Sequence, residues 1–406
     1  MNSILVVSEL FYPEGGGAEK ATYLILKYLA ERGFEITVLT STKNPAKIPG
    51  IRYYVTPLLQ HTNRLTKLAY LKLLVKDPTF VRLLREHSVL YIPLSAYPLI
   101  PTAKQRGLRV VVHLHNYMPV RYTSVKNFFE PDTVSILDEF ELAVFHEYYV
   151  QKSLLRTLLM PLSFSVYFLN KRQLAEADKL ICVSLRQADI VIKSNPHLIN
   201  KVEVIYNPVP PELLNLEPRK ELDNTPTFLY VGGENYIKGF HILLRTIKEL
   251  GKQGIKARFI LTNKYSRESM KILNTMSNEY KNLGIDVVGR VEYHELIKLH
   301  EKAWALVFPS IWEEPLPYAV VEAMALGTIP ITSRVGGVPE LLDDTMLKSF
   351  MYTPQNIVEI IEIIKKLSTF SSNEALSLSH KLRNIALKKF DINNISKKIV
   401  QIFSSY

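Results

Sequence analysis

The sequence is poor in the features that mark secreted chains. Cys182 is the only cysteine among 406 residues, so no disulfide can form within the chain, which fits a reducing compartment. The first residues, MNSILVVSEL, have no basic segment ahead of a short apolar run, which favours a first β-strand over a signal peptide. We therefore expect a cytoplasmic protein.

Apolar runs long enough to cross a membrane are also scarce, since such a helix needs about 20 residues. The nearest approach is 153–170 (SLLRTLLMPLSFSVYFLN), which Arg156, Pro161 and several serines interrupt. This composition favours a buried or interfacial pair of helices, and a membrane-inserted segment stays open.

Acidic residues are outnumbered, because 50 Lys and Arg against 39 Asp and Glu give a formal net charge of +11. Such a balance permits nucleic acid, an anionic membrane surface or a phosphorylated substrate as partner. The basic residues are scattered and form no motif interleaved with aromatics, so no nucleic-acid partner is expected. Residues 64–85, with Lys67, Lys72, Lys76 and Arg82 among leucines, indicate either an interfacial surface or an ordinary core-facing helix.

The length and the pattern of the chain predict two α/β domains, because one core seldom exceeds about 250–300 residues. Apolar runs typical of buried parallel strands alternate with helical patterns; the clearest runs lie at 4–7, 34–39, 89–92, 110–114, 227–231 and 257–262. A polar, proline-bearing segment at 211–226 indicates a linker. We predict two Rossmann-like, doubly wound domains, 1–208 and 209–391.

The segment with the most candidate ligand-binding residues is 309–340, PSIWEEPLPYAVVEAMALGTIPITSRVGGVPE. Pro315 and Pro317 hold Glu314 in a loop, and a helix should begin near residue 317 because proline favours a first helical turn. Glu322 then lies about one turn into that helix. Ligand hydroxyls can donate to the two carboxylates, and phosphates can accept from the free N–H groups. The segment therefore predicts a binding site for a sugar nucleotide.

Two glycine-rich turns each separate a strand from a helix: Gly15–Gly17, and Gly232–Gly233 with Lys238 downstream. Glycines let a backbone approach a phosphate, and a lysine at a helix start can meet a diphosphate. Taken alone, the first could equally be a plain tight turn, and in the second Lys238 could be a surface lysine beside a helix-start glycine. Neither matches G-x-G-x-x-G, and no acidic residue ends the second strand, so a dinucleotide-dependent dehydrogenase is disfavoured.

His113 and His115 end a predicted strand, where open α/β sheets bind ligands. A histidine there can hydrogen-bond a substrate or move a proton, and alternation can place both rings on one side of the strand. A satisfied core histidine stays open, whereas a metal site is not expected without nearby cysteine or acidic ligands.

Together these motifs resemble glycosyltransferase family 4, the retaining group with the GT-B fold. The specific part is the Glu-x7-Glu segment with its trailing Gly336-Gly337, and further matches lie at 16–19, 115–117, 183–184, 205–209 and 289–291. The resemblance implies two Rossmann-like domains facing a central cleft. The first would bind the acceptor and be completed by a last helix within 392–406, and the second would bind the nucleotide sugar.

The resemblance also assigns matched positions to parts of a nucleotide-diphosphate-sugar donor. Glu322 would hold the ribose, Glu314 the donor sugar, and Lys238 the departing diphosphate. His115 would lie beside the transferred sugar. The other implied donor contacts are Gly16, Gly17, Gly233, Arg290, Val291, Leu316, Pro317, Tyr318 and Ala319. Catalysis by His115, Glu314 and Lys238 would be retaining transfer with no cofactor and no obligatory metal, driven mainly by stabilisation of the diphosphate.

Two departures from the family pattern matter for the donor. Gly233 stands where the family usually has Arg, so Lys238 acts alone or with Arg290 or Arg334. Pro317 stands where the family often has Gly, which removes one backbone donor. We expect these changes to affect efficiency and donor type more than the fold.

The expected function is a hexosyltransferase acting on a lipid-linked or glycan acceptor, peripheral on the inner, cytosolic face of the plasma membrane. The membrane expectation comes from 64–85 and 151–172. Alternatives are a sugar-nucleotide epimerase or a phosphorylase on the same fold, and a non-catalytic nucleotide-sugar-binding protein, which the missing Arg at 233 favours. The donor base, the sugar and the acceptor are not encoded in these motifs.

Overall fold

The computed structural model describes residues 3–61, 63–216, 220–343 and 345–404. Residues 217–219 of the predicted linker and 405–406 of the predicted last helix lie outside the described residues. The described chain forms two compact units. The first unit draws on Met1–Lys126, Glu130–Pro208 and Ile392–Tyr406, and the second on Asn127–Phe129 and Val209–Asp391.

The strands are β1 Ser3–Ser8, β2 Glu35–Thr40, β3 Arg52–Val55, β4 Val89–Ile92, β5 Arg109–Leu114, β6 Lys179–Cys182, β7 Val202–Val204, β8 Thr227–Tyr230, β9 Ala257–Thr262, β10 Leu283–Gly289, β11 Ala305–Phe308, β12 Ile329–Ser333 and β13 Met351–Tyr352. They form two sheets in which every neighbouring pair is parallel, one in each unit.

The helices are α1 Gly17–Glu31, α2 Arg64–Leu74, α3 Pro78–Glu86, α4 Ile100–Gln105, α5 Ile136–Phe145, α6 Leu154–Leu158, α7 Met160–Leu174, α8 Leu185–Ser194, α9 Pro211–Asn215, α10 Phe240–Lys252, α11 Arg267–Glu279, α12 Tyr293–Lys302, α13 Tyr318–Ala325, α14 Val338–Leu342, α15 Ile357–Ser368, α16 Ser372–Lys389 and α17 Ile392–Ser404. A π-helical turn, His146–Val150, follows α5.

The first sheet has the order β3-β2-β1-β4-β5-β6-β7, and the second has the order β10-β9-β8-β11-β12-β13. The central strands β4, β8 and β11 are buried throughout, as expected for parallel strands with both faces covered. The strand order reverses between β1 and β4 in the first sheet and between β8 and β11 in the second. Ligands of open α/β sheets bind outside the carboxyl ends of the strands at such reversals.

The prediction of two doubly wound parallel sheets is confirmed, and local signals explain several element boundaries. Gly33, at φ +81°, ends α1 because its N–H donates to the carbonyl of Ala30 at 3.0 Å and the next N–H returns to Leu29 at 3.2 Å. Pro317, at φ −74°, directly precedes α13, so the predicted helix start is correct.

The structure adds detail to the predictions in three places. The linker at 211–226 contains α9, whose first residue is a proline, a favourable start for a helix. The edge strands β3 and β13 were not predicted, because β3 is half-exposed and β13 has only two residues. Among the described residues, no helix is long and apolar enough to cross a membrane; residues 153–170 form α6 and most of α7.

Of the two alternatives left open for 64–85, an interfacial surface or a core-facing helix, the structure favours the core-facing one at several positions. The helices α2 and α3 bury Leu71, Leu74 and Leu83, whereas Leu73 is exposed. Lys67 is itself buried and ion-paired with Glu9 at 2.6 Å. A period of 3.6 residues gives the same pattern for a core-facing and an interfacial helix, so the sequence could not separate them.

Candidate active site

The candidate site of the second unit lies where its strand order reverses. The loop after β8, residues 231–239, and the loop after β11, residues 309–317, contact each other through their backbones. The N–H of Ile311 donates to the carbonyl of Ile237 at 3.0 Å, and the Ser310 hydroxyl donates to the same carbonyl at 3.1 Å. The two sequence motifs therefore form one structure.

Glycines are required where these loops touch. Gly239 has φ +77°, and a Cβ there would overlap the carbonyl of Pro309. Gly336 has φ +51°, and a Cβ there would overlap the backbone of Glu314. The N–H of Gly337 also donates to the Glu314 carbonyl at 2.9 Å. Gly336 and Gly337, which trail the Glu-x7-Glu segment, therefore pack behind the Glu314 loop.

Glu313 fixes the same loop and was not predicted as a site residue. It is buried, and its carboxylate accepts the N–H of Gly336 at 2.5 Å. Its position beside Glu314 in the sequence is a weak signal, because two adjacent acids more often mark a solvated turn. We infer that Glu313 positions the loop that carries Glu314.

Lys238 and Glu314 form a hydrogen-bonded ion pair. Glu314 is 5% exposed, and its Oε1 lies 3.4 Å from the Ser310 hydroxyl. The Lys238 Nζ lies 5.1 Å from the ring centroid of Trp312, at cation–π distance. The lysine side chain nevertheless keeps 30% of its surface exposed, so a ligand can reach it. Trp312 was not predicted as a site residue, although it lies within the 309–340 segment.

Glu322 lies on α13 and is buried. The Tyr293 hydroxyl donates to its Oε1 at 3.0 Å. Burial raises the pKa of Tyr293, and the nearby Glu322 carboxylate raises it further. This hydroxyl therefore keeps its proton and remains a donor. Tyr293 was missed because it lies 29 residues away along the chain and no local motif marks it.

The predicted backbone contacts lead into α13. Leu316 and Pro317 are buried, whereas Tyr318 and Ala319 are partly exposed at the start of the helix. The first N–H groups of a helix have no partner within the helix and favour anions. Along the chain, the start of α13 thus lies between Glu314 in the loop and Glu322 within the helix.

The position that lacks the usual arginine has an unusual backbone. Gly233 has φ +62°, a left-handed conformation that a side chain seldom adopts, and its carbonyl accepts the Tyr230 hydroxyl at 2.9 Å. An arginine at 233 would therefore be strained. Of the suggested replacement cations, Arg334 is paired with Asp343 at 2.7 Å, and the exposed Arg290, followed by Val291, leaves the edge strand β10.

The predicted histidines lie in the first unit at the end of β5. The rings of His113 and His115 are 4.1 Å apart, and His113 Nδ1 lies 2.9 Å from the Tyr91 hydroxyl. Burial lowers the pKa of His113 well below its usual value and that of His115 to about 3. Both imidazoles are therefore neutral near pH 7. Within the described ranges, no cluster of three or more His, Cys, Asp or Glu side chains is placed to hold a metal ion.

In the glycine loop of the first unit, a backbone N–H group already donates a hydrogen bond to a nearby carboxylate. The N–H of Gly16 donates to Glu19 Oε2 at 2.7 Å, and Gly17 begins α1. Gly15 has φ +88°, and a Cβ there would overlap the Glu19 side chain. The contact of Gly16 and Gly17 with a diphosphate remains a prediction.

Comparisons with known proteins cover nearly the whole chain. A family model described as Glycosyltransferase Family 4 matches residues 15–213, and one described as Glycosyl transferases group 1 matches residues 215–388. The chain is 23% identical to a component of human phosphatidylinositol N-acetylglucosaminyltransferase, over 99% of this chain and 76% of that protein.

Two solved structures illustrate the similarity of fold. Anabaena HepE, solved in complex with UDP and glucose, superposes with a TM-score of 0.68 at 17% identity over 100% of both chains. WaaG, a glycosyltransferase involved in lipopolysaccharide biosynthesis, has a TM-score of 0.64 at 16% identity over 99% of this chain and 100% of that chain.

Proposed function

The chain is a glycosyltransferase of family 4 with the GT-B fold that uses nucleotide-sugar donors, and we propose that it glycosylates a lipid-linked acceptor with retention at the cytosolic membrane face. The observation that carries the donor half of the proposal is the Lys238–Glu314 pair beside the start of α13. The acceptor half depends on a different surface.

Each part of a sugar-diphosphate nucleotide has a suitable partner in the second unit. Glu322 is a carboxylate suited to ribose hydroxyls, which donate strongly to charged acceptors. The start of α13 suits the diphosphate. In this proposal Glu314 faces the sugar. The turn at Arg290–Val291, which follows β10, lies beside the base.

Lys238 is the proposed catalytic cation. As the bond between the sugar and the diphosphate breaks, negative charge develops on the leaving oxygen, and a fixed ammonium group stabilises that charge more than it stabilises the bound donor. The neutral His115 would orient a hydroxyl rather than carry a positive charge. Neither role requires a metal in this proposal.

Nucleotide sugars should stabilise the protein in a thermal-shift panel of UDP-, GDP- and ADP-sugars, because a ligand that binds only the native state raises stability by mass action. At about 100 times Kd the gain is about 2.7 kcal/mol. Without ligand, Glu322→Gln should melt at the same temperature as wild type. It should need about tenfold more ligand for the same thermal shift, since a charge-assisted hydrogen bond contributes about 1.5–3 kcal/mol. No shift with any of these sugars would remove the donor proposal.

The acceptor proposal draws on an apolar surface of the first unit. Between α5 and α7 the chain exposes many large apolar side chains, among them Leu137, Phe145, Tyr149, Leu154, Leu155 and Leu158. Exposed apolar side chains concentrated in one segment mark an interaction site, and the exposed Lys152 within it suits anionic lipid head groups. The human relative, named for a phosphatidylinositol substrate, supports a lipid acceptor. We place the enzyme on the inner face of the plasma membrane.

The membrane proposal predicts that the protein sediments with anionic phosphatidylglycerol vesicles and less so at high salt. The double variant Leu154→Ser/Leu158→Ser should partition about tenfold less, because each buried leucine contributes about 1.5–3 kcal/mol. Ile199→Ser, at an exposed residue of the same unit outside this surface, is the matched control. Equal sedimentation of the double variant and the control would contradict the assignment of this surface.

A further inference from the structure

The first unit has a cavity of about 420 Å³ at its own strand reversal, lined by both polar and apolar side chains. Glu9 follows β1, Ser95 follows β4, and Lys67 of α2 bonds both side chains. Because open α/β sheets bind ligands at this position, the cavity is a candidate site in the first unit alone.

Two of the three cations that line the cavity are neutralised. Lys67 is ion-paired with Glu9 at 2.6 Å, and the same carboxylate accepts from the Ser95 hydroxyl at 2.8 Å. Arg156 Nε lies 2.7 Å from Glu147 Oε2. These pairs leave no net charge for a ligand to balance.

Arg64 is the third cation, and it has no carboxylate partner among the described residues. Its Nη2 donates to the backbone carbonyl of Tyr122 and lies 3.4 Å from the Ser124 hydroxyl. The guanidinium stacks over the rings of Tyr122 and Tyr167 at 4.7 and 5.8 Å. Its Nη1 is buried without a hydrogen-bond partner. A buried guanidinium with an unused donor is costly, so the cavity carries one positive charge to be balanced.

Neutral polar groups complete the lining. Asn170 is 4% exposed, and its Oδ1 is buried without a partner, which suits a hydroxyl donor. Ser163 also lines the cavity. The π-helical turn His146–Val150 supplies His146 and Glu147 to the wall, and π-helical turns occur frequently at functional sites.

The cavity opens beside apolar surface. Leu155 and Leu159 belong both to its lining and to the exposed apolar residues, and Leu158 and Leu162 of the same segment are exposed too. A polar interior with one free positive charge and an apolar border fits an amphiphile whose head group is anionic.

We propose that this cavity binds the head group of the lipid acceptor, a polyhydroxylated phosphodiester with a single negative charge. The phosphate pairs with Arg64 Nη1, hydroxyls of the head group bond Asn170 and Ser163, and the acyl chains lie over α6. The inference rests on the proposed function, because it names the class of acceptor for that reaction. Guanidinium is well suited to phosphate through charge-assisted hydrogen bonds.

The test uses glycerophosphoinositol, a soluble phosphodiester head group, titrated calorimetrically into the full chain. Wild type should bind it, Arg64→Gln should bind about tenfold or more weakly, and Arg64→Lys should recover part of the loss. Lys72→Gln removes the same charge from an exposed position on the same helix, outside the cavity, and should bind like wild type. A nucleotide sugar that stabilises the wild type should stabilise Arg64→Gln equally, which shows that the variant is folded.

Several results would overturn the inference. Inorganic phosphate binding as tightly as glycerophosphoinositol would make this a free-phosphate site, and equal losses in Lys72→Gln and Arg64→Gln would make the effect one of general charge. No binding of glycerophosphoinositol by a wild type that still binds nucleotide sugars would remove the head-group site and leave the proposed donor chemistry standing. Failure of every nucleotide sugar would count against the proposed function instead.

Discussion

Lys238→Ala is expected to lower kcat for sugar transfer by about 100- to 1,000-fold, the loss typical of removing one group that stabilises a developing oxyanion. The family's usual second cation is replaced by Gly233, and Arg334 is paired with Asp343, so of the two suggested replacements only Arg290 remains to compensate. The KM for the nucleotide sugar should rise less than kcat falls, because the charge to be stabilised develops in the transition state. Steady-state kinetics with the nucleotide sugar from the thermal-shift panel measure both constants.

Two controls separate this effect from simpler ones. Lys238→Arg keeps a cation next to Glu314 and should retain part of the activity. The recovery should be incomplete, because a planar guanidinium places its charge and its N–H donors differently from an ammonium group. Lys252→Ala removes an exposed lysine at the far end of α10 and should leave kcat unchanged. If Lys238→Ala raises only KM, the lysine binds the donor without assisting departure of the diphosphate, and the proposed catalytic role is wrong.

The elements that sequence reasoning predicted well are those with local causes. Pro315 and Pro317 dictate a loop and a helix start by their own geometry, and α13 begins at Tyr318 as predicted. The buried apolar runs of β1, β5, β8 and β9 follow from parallel strands covered on both faces. Such signals act over a few residues, so one sequence carries them.

The contacts that sequence reasoning missed are long-range. Tyr293 meets Glu322 across 29 residues, and Lys67 meets Glu9 across 58. No spacing rule predicts such pairs, because they depend on which strands become neighbours in the sheet. Lys67 illustrates this: a lysine at an amphipathic position fits either a surface or a core-facing helix until its partner carboxylate is known.

The two strand reversals also differ in their chemistry, and this difference supports separate ligands. In the second unit a partly exposed lysine lies beside the start of a helix, which suits a diphosphate. In the first unit the cavity is lined by paired charges and one unpaired guanidinium beside apolar surface, which suits a single phosphate on an amphiphile. The same position in two similar sheets thus carries different recognition chemistry.

Gly336→Ala should disable donor binding although position 336 contacts no ligand in the proposed mechanism. An added Cβ would overlap the Glu314 backbone at a position with φ +51°. We expect a loss of about 2–5 kcal/mol in the stability of the second unit, from overpacking of about 1–3 kcal/mol and left-handed strain of about 1–2 kcal/mol. Affinity for the nucleotide sugar should fall about 100-fold or more, since displacement of the Glu314 loop also moves the partner of Lys238.

Gly254→Ala is the control that isolates the steric contribution. Gly254 lies in the same unit at φ +68°, but a Cβ there meets nothing within 4 Å, so only the backbone strain of about 1–2 kcal/mol should appear. Urea unfolding of the two variants, together with titration of the nucleotide sugar, measures the difference. If both variants lose the same stability and bind the sugar equally well, the Gly336–Glu314 contact does not hold the loop, and its position depends on other contacts, such as those of Ser310 and Ile311 with Ile237.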